Sequence, residues 1–213
     1  MERSPLPAHR LKLHVLTDHD WSRGRDMVTV ARAALAGGAT VIQLRDKTAS
    51  TRQLVEAGQA LRQLTGQYGA LLIVNDRIDV ALAVDADGAH VGQDDMPGEI
   101  ARRLLGANRI LGMSAGTMEE AQTALAAGAD YLGVGPIFAT RTKADAGAPI
   151  GTQLLRDLSS VHSEVPLVAI GGITADNAGA IIEAGATGVA VITAVVNAED
   201  IEAATKRIVN AIC

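Results

Sequence analysis

Apolar and polar positions along this chain switch repeatedly between two patterns. Short continuous runs recur: "LKLHVLT" (11–17), "ATVIQL" (39–44), "ALLIVN" (70–75), "GAHV" (88–91), "RILGM" (109–113), "DYLGVG" (130–135), "PLVAIG" (166–171) and "TGVAVIT" (187–193). Runs apolar at successive positions suit parallel strands that are covered on both faces. Between them, apolar residues fall three and four apart over 25–38, 48–69, 76–84, 96–106, 117–128, 152–162, 174–185 and 199–212. That spacing draws one stripe along a helix. The predicted ends carry their own signals. Glycines stop the first two helices, at Gly37-Gly38 and Gly69. Pro97 sits in the first turn of 96–106. Thr117 followed by Glu120 predicts a capping box, and Thr174 predicts a cap.

Eight strand–helix units in succession predict an α/β chain folded as a closed (β/α)8 TIM barrel, with phosphate-binding loops at the C-terminal ends of the strands. An open doubly wound sheet is the alternative, but no Gly-x-Gly-x-x-Gly turn precedes the first helix. "ALAGGAT", "ALAAGAD" and "IEAGAT" echo one another as helix end, glycine stop and strand start, which supports repeated units.

Composition narrows this picture. With 213 residues and 48% hydrophobic content, one barrel domain over 1–213 is expected, with 1–10 as a flexible or surface extension. Aromatics make up only 2%, so the core is expected to be Ala, Val, Ile and Leu. A net charge of -5 with mixed signs excludes a basic nucleic-acid surface. The single cysteine, Cys213, excludes an internal disulfide or a cysteine-based metal site. No apolar run reaches membrane-spanning length and "MERSPLPAHR" lacks a signal-type apolar core, so a soluble cytoplasmic protein is expected. The sequence leaves a homo-oligomer open.

Polar residues gather just after the strands, where such a barrel builds its active face. They include "QLRDK" (43–47), "NDR" (75–77), "GQDD" (92–95), Ser114, "GPIFATRTK" (135–143), "GG" (171–172) and "IT" (192–193). In "QLRDK", Gln43, Arg45 and Lys47 alternate, so a continued strand would turn all three inward. Arg and Lys there suit phosphate oxygens, although a mixed-charge strand end would look similar. Asp76 is either a helix cap or a carboxylate ligand for Mg²⁺, and Asp94 and Asp95 raise the same choice. Gly171-Gly172 ahead of a helix would let backbone N–H groups cradle a phosphate, or would simply turn a tight loop. His14 and His90 lie in strands, where a hydrogen-bonded barrel histidine is expected, and no hydrolase motif appears.

Together, "VIQLRDK", "LLIVNDRIDVA", "ADGAHVGQDD", "GADYLGVGPIF", "TRTK", "VAIGGI" and "GVAVITA" resemble the thiamine-phosphate synthase family, from about residue 12 to 196. The resemblance implies a transferase of thiamine biosynthesis. It would couple hydroxymethylpyrimidine diphosphate with hydroxyethyl-methyl-thiazole phosphate, or a 2-carboxylated form that loses CO2. The products would be thiamine monophosphate and pyrophosphate. It implies Mg²⁺ on Asp76 and Asp95. It also implies Gln43, Arg45, Lys47, Asn75, Ser114 and Lys143 around the pyrimidine diphosphate, with Arg45, Lys47, Ser114 and Lys143 in catalytic roles. Thr140, Thr142, Gly172, Ile192 and Thr193 would hold the thiazole phosphate. The family's route breaks the methylene–oxygen bond first, and the loop after strand six is then expected to act as a lid against water. Ala139 departs from the proline common at that position, and Thr193 from a common serine. A thiazole tautomerase of the same family, other phosphate-binding barrels and a non-catalytic phosphate-binding regulator are the competing readings.

Overall fold

The computed structural model describes residues 6–142 and 147–213. Strands β1 (Leu13–Leu16), β2 (Val41–Leu44), β3 (Leu71–Asn75), β4 (Gly88–Val91), β5 (Ile110–Ala115), β6 (Tyr131–Val134), β7 (Leu167–Ile170) and β8 (Gly188–Val191) form a closed barrel in chain order. Every pairing is parallel, and β8 returns to β1 with Leu13 opposite Val189. The expected (β/α)8 barrel is therefore the observed fold.

Helices α1 (Met27–Ala36), α2 (Thr51–Tyr68), α3 (Ile78–Ala83), α4 (Gly98–Leu105), α5 (Met118–Ala126), α6 (Gln153–Val161) and α7 (Ala178–Glu183) follow the first seven strands. After β8 come α8 (Thr193–Val196) and α9 (Ile201–Ala211). Among the described residues no helix is long and apolar enough to cross a membrane.

Local chemistry explains several boundaries. In α2, Ser50 Oγ accepts from Gln53 N at 3.3 Å and Ser50 N donates to Gln53 Oε1 at 2.8 Å, a reciprocal capping box. The predicted box at Thr117 is only half formed. Thr117 Oγ1 accepts from Glu120 N at 3.1 Å, but Glu120 Oε2 accepts from Gly116 N at 2.6 Å, one residue too early. Thr174 does not cap a helix either. Asn177 Oδ1 accepts from Thr174 N at 2.9 Å while its Nδ2 donates to Gly172 O at 3.0 Å, and α7 starts only at Ala178. Such local side-chain bonds compete with helix formation. The 3-10 turn Ala8–Leu11 and the short α8 were not foreseen from spacing, because four residues make little more than one turn and show no repeat.

Strand alternation sorts the core into two surfaces. Leu13, Val15, Ile42 and Leu44 are buried, as a helical layer over the outer barrel face requires. Their neighbours His14 and Gln43, with Asn75, His90, Ser114 and Tyr131, line the cavity inside. The aliphatic core expectation holds outside the barrel. Inside, buried aliphatic residues such as Val41, Leu71, Ile73 and Val168 are joined by two exceptions, His14 and Tyr131, both almost wholly buried.

Candidate active site

A cavity of about 690 Å³ opens at the C-terminal ends of the strands and takes lining residues from all eight. Gln43, Arg45, Lys47, Asn75, Asp76, Asp95 and Ser114 border it, as do Thr140, Thr142, Gly172, Ile192 and Thr193. Lys143 lies outside the described residues.

Strand β2 ends at Leu44, short of Arg45. The alternation is carried on by Thr17 instead. Its N–H donates to Gln43 O at 2.9 Å, its Oγ1 accepts from Arg45 N at 2.9 Å, and its hydroxyl donates to Arg45 O at 3.0 Å. Gln43 and Arg45 are both buried at the cavity wall. The Arg45 guanidinium is ion-paired with Asp18, which is equally buried. Burial pushes the Asp18 carboxyl up, and Arg45 pulls it back. Lys47 differs: its side chain is half exposed, and its Nζ lies 2.6 Å from Asp76 Oδ2.

Asp76 stands in a left-handed conformation, φ 60°, which Asp tolerates better than most side chains. Its N–H donates to His90 O at 2.8 Å. The helix-cap reading of Asp76 is not what the structure displays: Arg77 is the first flanking residue of α3 and no side chain caps that helix. Freed from capping, the Asp76 carboxylate meets Lys47 and Asp95. Burial raises its pKa, Lys47 opposes the rise, and a hydrogen bond and charge from Asp95 add to it. Asp95 is anchored through Oδ2, which accepts from Gly92 N at 2.7 Å. Asp94 is exposed at the rim.

A part-buried carboxyl whose ionisation a second carboxyl opposes further is a donor set that a cation would relieve. Hard oxygen donors suit Mg²⁺, which is commonly held by one or two carboxylates with water and substrate phosphate completing the shell. Among the described residues no group of three His, Cys, Asp or Glu side chains forms a complete metal cage. The pair therefore fits an ion shared with a phosphorylated ligand.

Across the cavity, Gly171 (φ 102°) and Gly172 (φ 64°) turn the chain after β7. A Cβ on Gly172 would come within 2.7 Å of Ala139 O and of Phe138 Cβ, so glycine is needed for contact as well as conformation. Phe138 N donates to Gly171 O at 3.0 Å, tying this turn to the loop after β6. In that loop Thr140 Oγ1 and Thr142 Oγ1 are 2.8 Å apart. Helix α8 begins at Thr193 beside them, and the N–H groups of a first helical turn lack intrahelical acceptors.

Two residues here escaped sequence reasoning. Asp18 lies two residues past β1 and obeys the same end-of-strand rule as the others, so that signal was available. Tyr131 lies within a strand, where residue type alone gave no reason to look, whereas His90 is the hydrogen-bonded barrel histidine expected.

The interior also holds His14, whose Nε2 has no hydrogen-bond partner among the described residues. Its ring packs edge-on against Tyr131 at 5.4 Å. This departs from the hydrogen-bonded histidine expected. Burial, and secondarily the nearby His90, holds its pKa down to about 3. An unfolded histidine titrates near 6.5, so below that pH the unfolded chain takes up a proton that the native state refuses. The stability concerned is fully present above about pH 6.5 and is lost as pH falls toward 3, at roughly 1.4 kcal/mol per unit. Urea unfolding between pH 6.5 and 4 is expected to show this slope, and His14→Leu to flatten it. An unchanged slope in that variant would place its source elsewhere.

A barrel mouth lined by Arg45, Lys47, a carboxylate pair and a glycine turn suits phosphorylated ligands, and the class is that of phosphate-handling (β/α)8-barrel enzymes. Comparison with known proteins narrows it. Over residues 13–195 the chain matches the thiamine monophosphate synthase family, and it belongs to that family. It is 57% identical to the thiamine-phosphate synthase of Chloroflexus aurantiacus, covering 92% of this chain and 90% of that one. Identity is 54% to the thiamine-phosphate synthase of Moorella thermoacetica, covering 92% and 93%. The structure superposes with a TM-score of 0.88 on a thiamine phosphate pyrophosphorylase from Pyrococcus furiosus, at 46% identity and 96% coverage of both chains.

Proposed function

We propose that this protein is a thiamine-phosphate synthase, coupling hydroxymethylpyrimidine diphosphate with the thiazole phosphate to form thiamine monophosphate and pyrophosphate. The observation that carries this reading is the Asp76–Asp95 carboxylate pair beside Lys47, in one cavity with a glycine turn suited to a second phosphate. The 2-carboxylated thiazole is the variant substrate, decarboxylated on coupling.

The reaction asks for charge management rather than a protein nucleophile. The bond from the pyrimidine methylene carbon to the diphosphate oxygen breaks, and its electron pair leaves with pyrophosphate. The thiazole nitrogen then donates its lone pair to that carbon, forming the new C–N bond. Arg45 and Lys47 bind the departing diphosphate and offset the charge it gains, while Asn75 and the Ser114 hydroxyl add hydrogen bonds. Lys143 is assigned the same role from the sequence motif. Mg²⁺ held by Asp76 and Asp95 would supply further neutralisation of the leaving group. Gln43, buried in the wall, joins them on the diphosphate. The Gly172 turn, Thr140, Thr142 and the Ile192-Thr193 segment hold the thiazole phosphate so that its ring nitrogen faces the reacting carbon. An isomerase acting on the thiazole alone would need acid–base groups rather than a diphosphate grip, and the full set of Gln43, Arg45, Lys47, Asn75, Asp76 and Asp95 argues against it.

The purified protein, given both substrates and Mg²⁺, is expected to release pyrophosphate and thiamine monophosphate in equal amounts. Chelation of the metal should abolish both products. Pyrophosphate release without thiamine monophosphate, or no reaction with either thiazole form, would refute this assignment.

A further inference from the structure

Inside the barrel, below the diphosphate side of the cavity, three side chains from consecutive strands join in line. Tyr131 Oη lies 3.0 Å from His90 Nδ1, and His90 Nε2 lies 3.0 Å from Ser114 Oγ. The space for this row is built into the backbone. A Cβ on Gly112 would collide with the Tyr131 ring, its oxygen and His90 Nδ1, and one on Gly133 would come within 2.7 Å of His90 Cε1. The rings of His90 and Tyr131 are 5.5 Å apart and tilted by 33°.

The direction of the protons follows from burial. Tyr131 is fully buried, and burial with the nearby Asp130 charge raises its pKa, so the phenol stays protonated. A buried O–H left without an acceptor is costlier than an unused oxygen lone pair. The phenol therefore donates to Nδ1, which leaves the imidazole proton on Nε2. That N–H donates to Ser114 Oγ, and the serine's own proton is turned away from His90. Ser114 borders the cavity, so its hydroxyl is left to donate there.

We propose that Tyr131, acting through His90, is a positioning residue that keeps the Ser114 hydroxyl aimed as a donor at the diphosphate. Without the phenol, His90 is free to carry its proton on Nδ1 and to accept from Ser114, drawing the donor away from the ligand. This rests on the diphosphate reading of the cavity, so the probe is inorganic pyrophosphate with Mg²⁺ rather than turnover.

Binding is measured for the wild-type protein, Tyr131→Phe, Ser114→Ala and the double variant, with thermal unfolding recorded for all four. Tyr131→Phe is expected to weaken pyrophosphate binding about tenfold, and to add nothing in the Ser114→Ala background. Equal losses in both backgrounds would make Tyr131 merely structural and overturn the relay. Nitrogen-15 NMR of the wild-type imidazoles requires no variant to fold. A protonated Nε2 and bare Nδ1 on His90 are expected, and the opposite tautomer overturns the proposal. Wild-type protein that does not bind pyrophosphate would instead refute the diphosphate site, and with it the purpose of the relay.

Discussion

Asp76→Asn and Asp95→Asn are each expected to slow coupling on the order of 10²- to 10³-fold, while native stability stays level or rises. The two expectations come from one geometry. Asp76 is held above its ordinary pKa first by burial, and also by its hydrogen bond with Asp95 and the Asp95 charge. A neutral amide removes that repulsion from the free protein. It also removes half of the oxygen set that would share a cation with the leaving diphosphate. Asp76→Asn breaks the Lys47 ion pair too, but Lys47 is half exposed and such a pair contributes little. In Asp95→Asn the amide oxygen can still accept from Gly92 N, so the local turn survives. Asp94→Asn serves as the control, since Asp94 is exposed. The measurements are turnover against Mg²⁺ concentration and chemical unfolding of all three variants. A structural role for the pair predicts loss of stability in parallel with activity. A large defect confined to Asp94→Asn would move the metal assignment by one residue, and an unchanged Mg²⁺ dependence in all three would remove the two-carboxylate site.

Arg45→Ala and Lys47→Ala should separate in the opposite way. Both are expected to weaken pyrimidine-diphosphate binding by at least tenfold, as loss of a charge-assisted contact does, with a smaller change for the thiazole phosphate. Only Arg45→Ala should also cost stability, about 3–5 kcal/mol, because it strands the buried Asp18 carboxylate. Lys47→Ala should remain within about 1 kcal/mol of wild type. Adding Asp18→Ala to Arg45→Ala should recover part of the lost stability and none of the diphosphate affinity. Calorimetric binding of each substrate and urea unfolding test both halves. Equal weakening for the two substrates would mean that these cations do not belong to the diphosphate side, and an undisturbed Arg45→Ala fold would deny Asp18 its dependence on Arg45.

The barrel itself was legible from residue order. Continuous aliphatic runs such as 70–75 can be buried only between two layers, and helical stripes with glycine stops supplied the second layer. Most strands proved one or two residues shorter at an end than the apolar runs, because apolarity records burial and not pairing, whereas β4 matches its run and β5 continues two residues beyond it. Ile192 and Thr193 illustrate this: they extend the run of β8, yet the chain has already turned into α8. The residues that border the cavity at the strand ends were equally legible, because a charged or hydroxylated residue that interrupts a buried run must face something other than the core.

What the sequence by itself determined is therefore the inventory: eight strands, their covering helices, and which polar groups stand at the active face. Tertiary structure alone decided their partners. Asp18 meets Arg45 across 27 residues, and Lys47 meets Asp76 across 29. Tyr131, His90 and Ser114 come into line only because β6, β4 and β5 are neighbours in the closed barrel with glycines clearing the space between them. Periodicity reports the face on which a side chain lies, whereas ionisation, donor direction and metal affinity depend on the few ångströms to a residue far away in the chain, and that distance exists only once the barrel has closed.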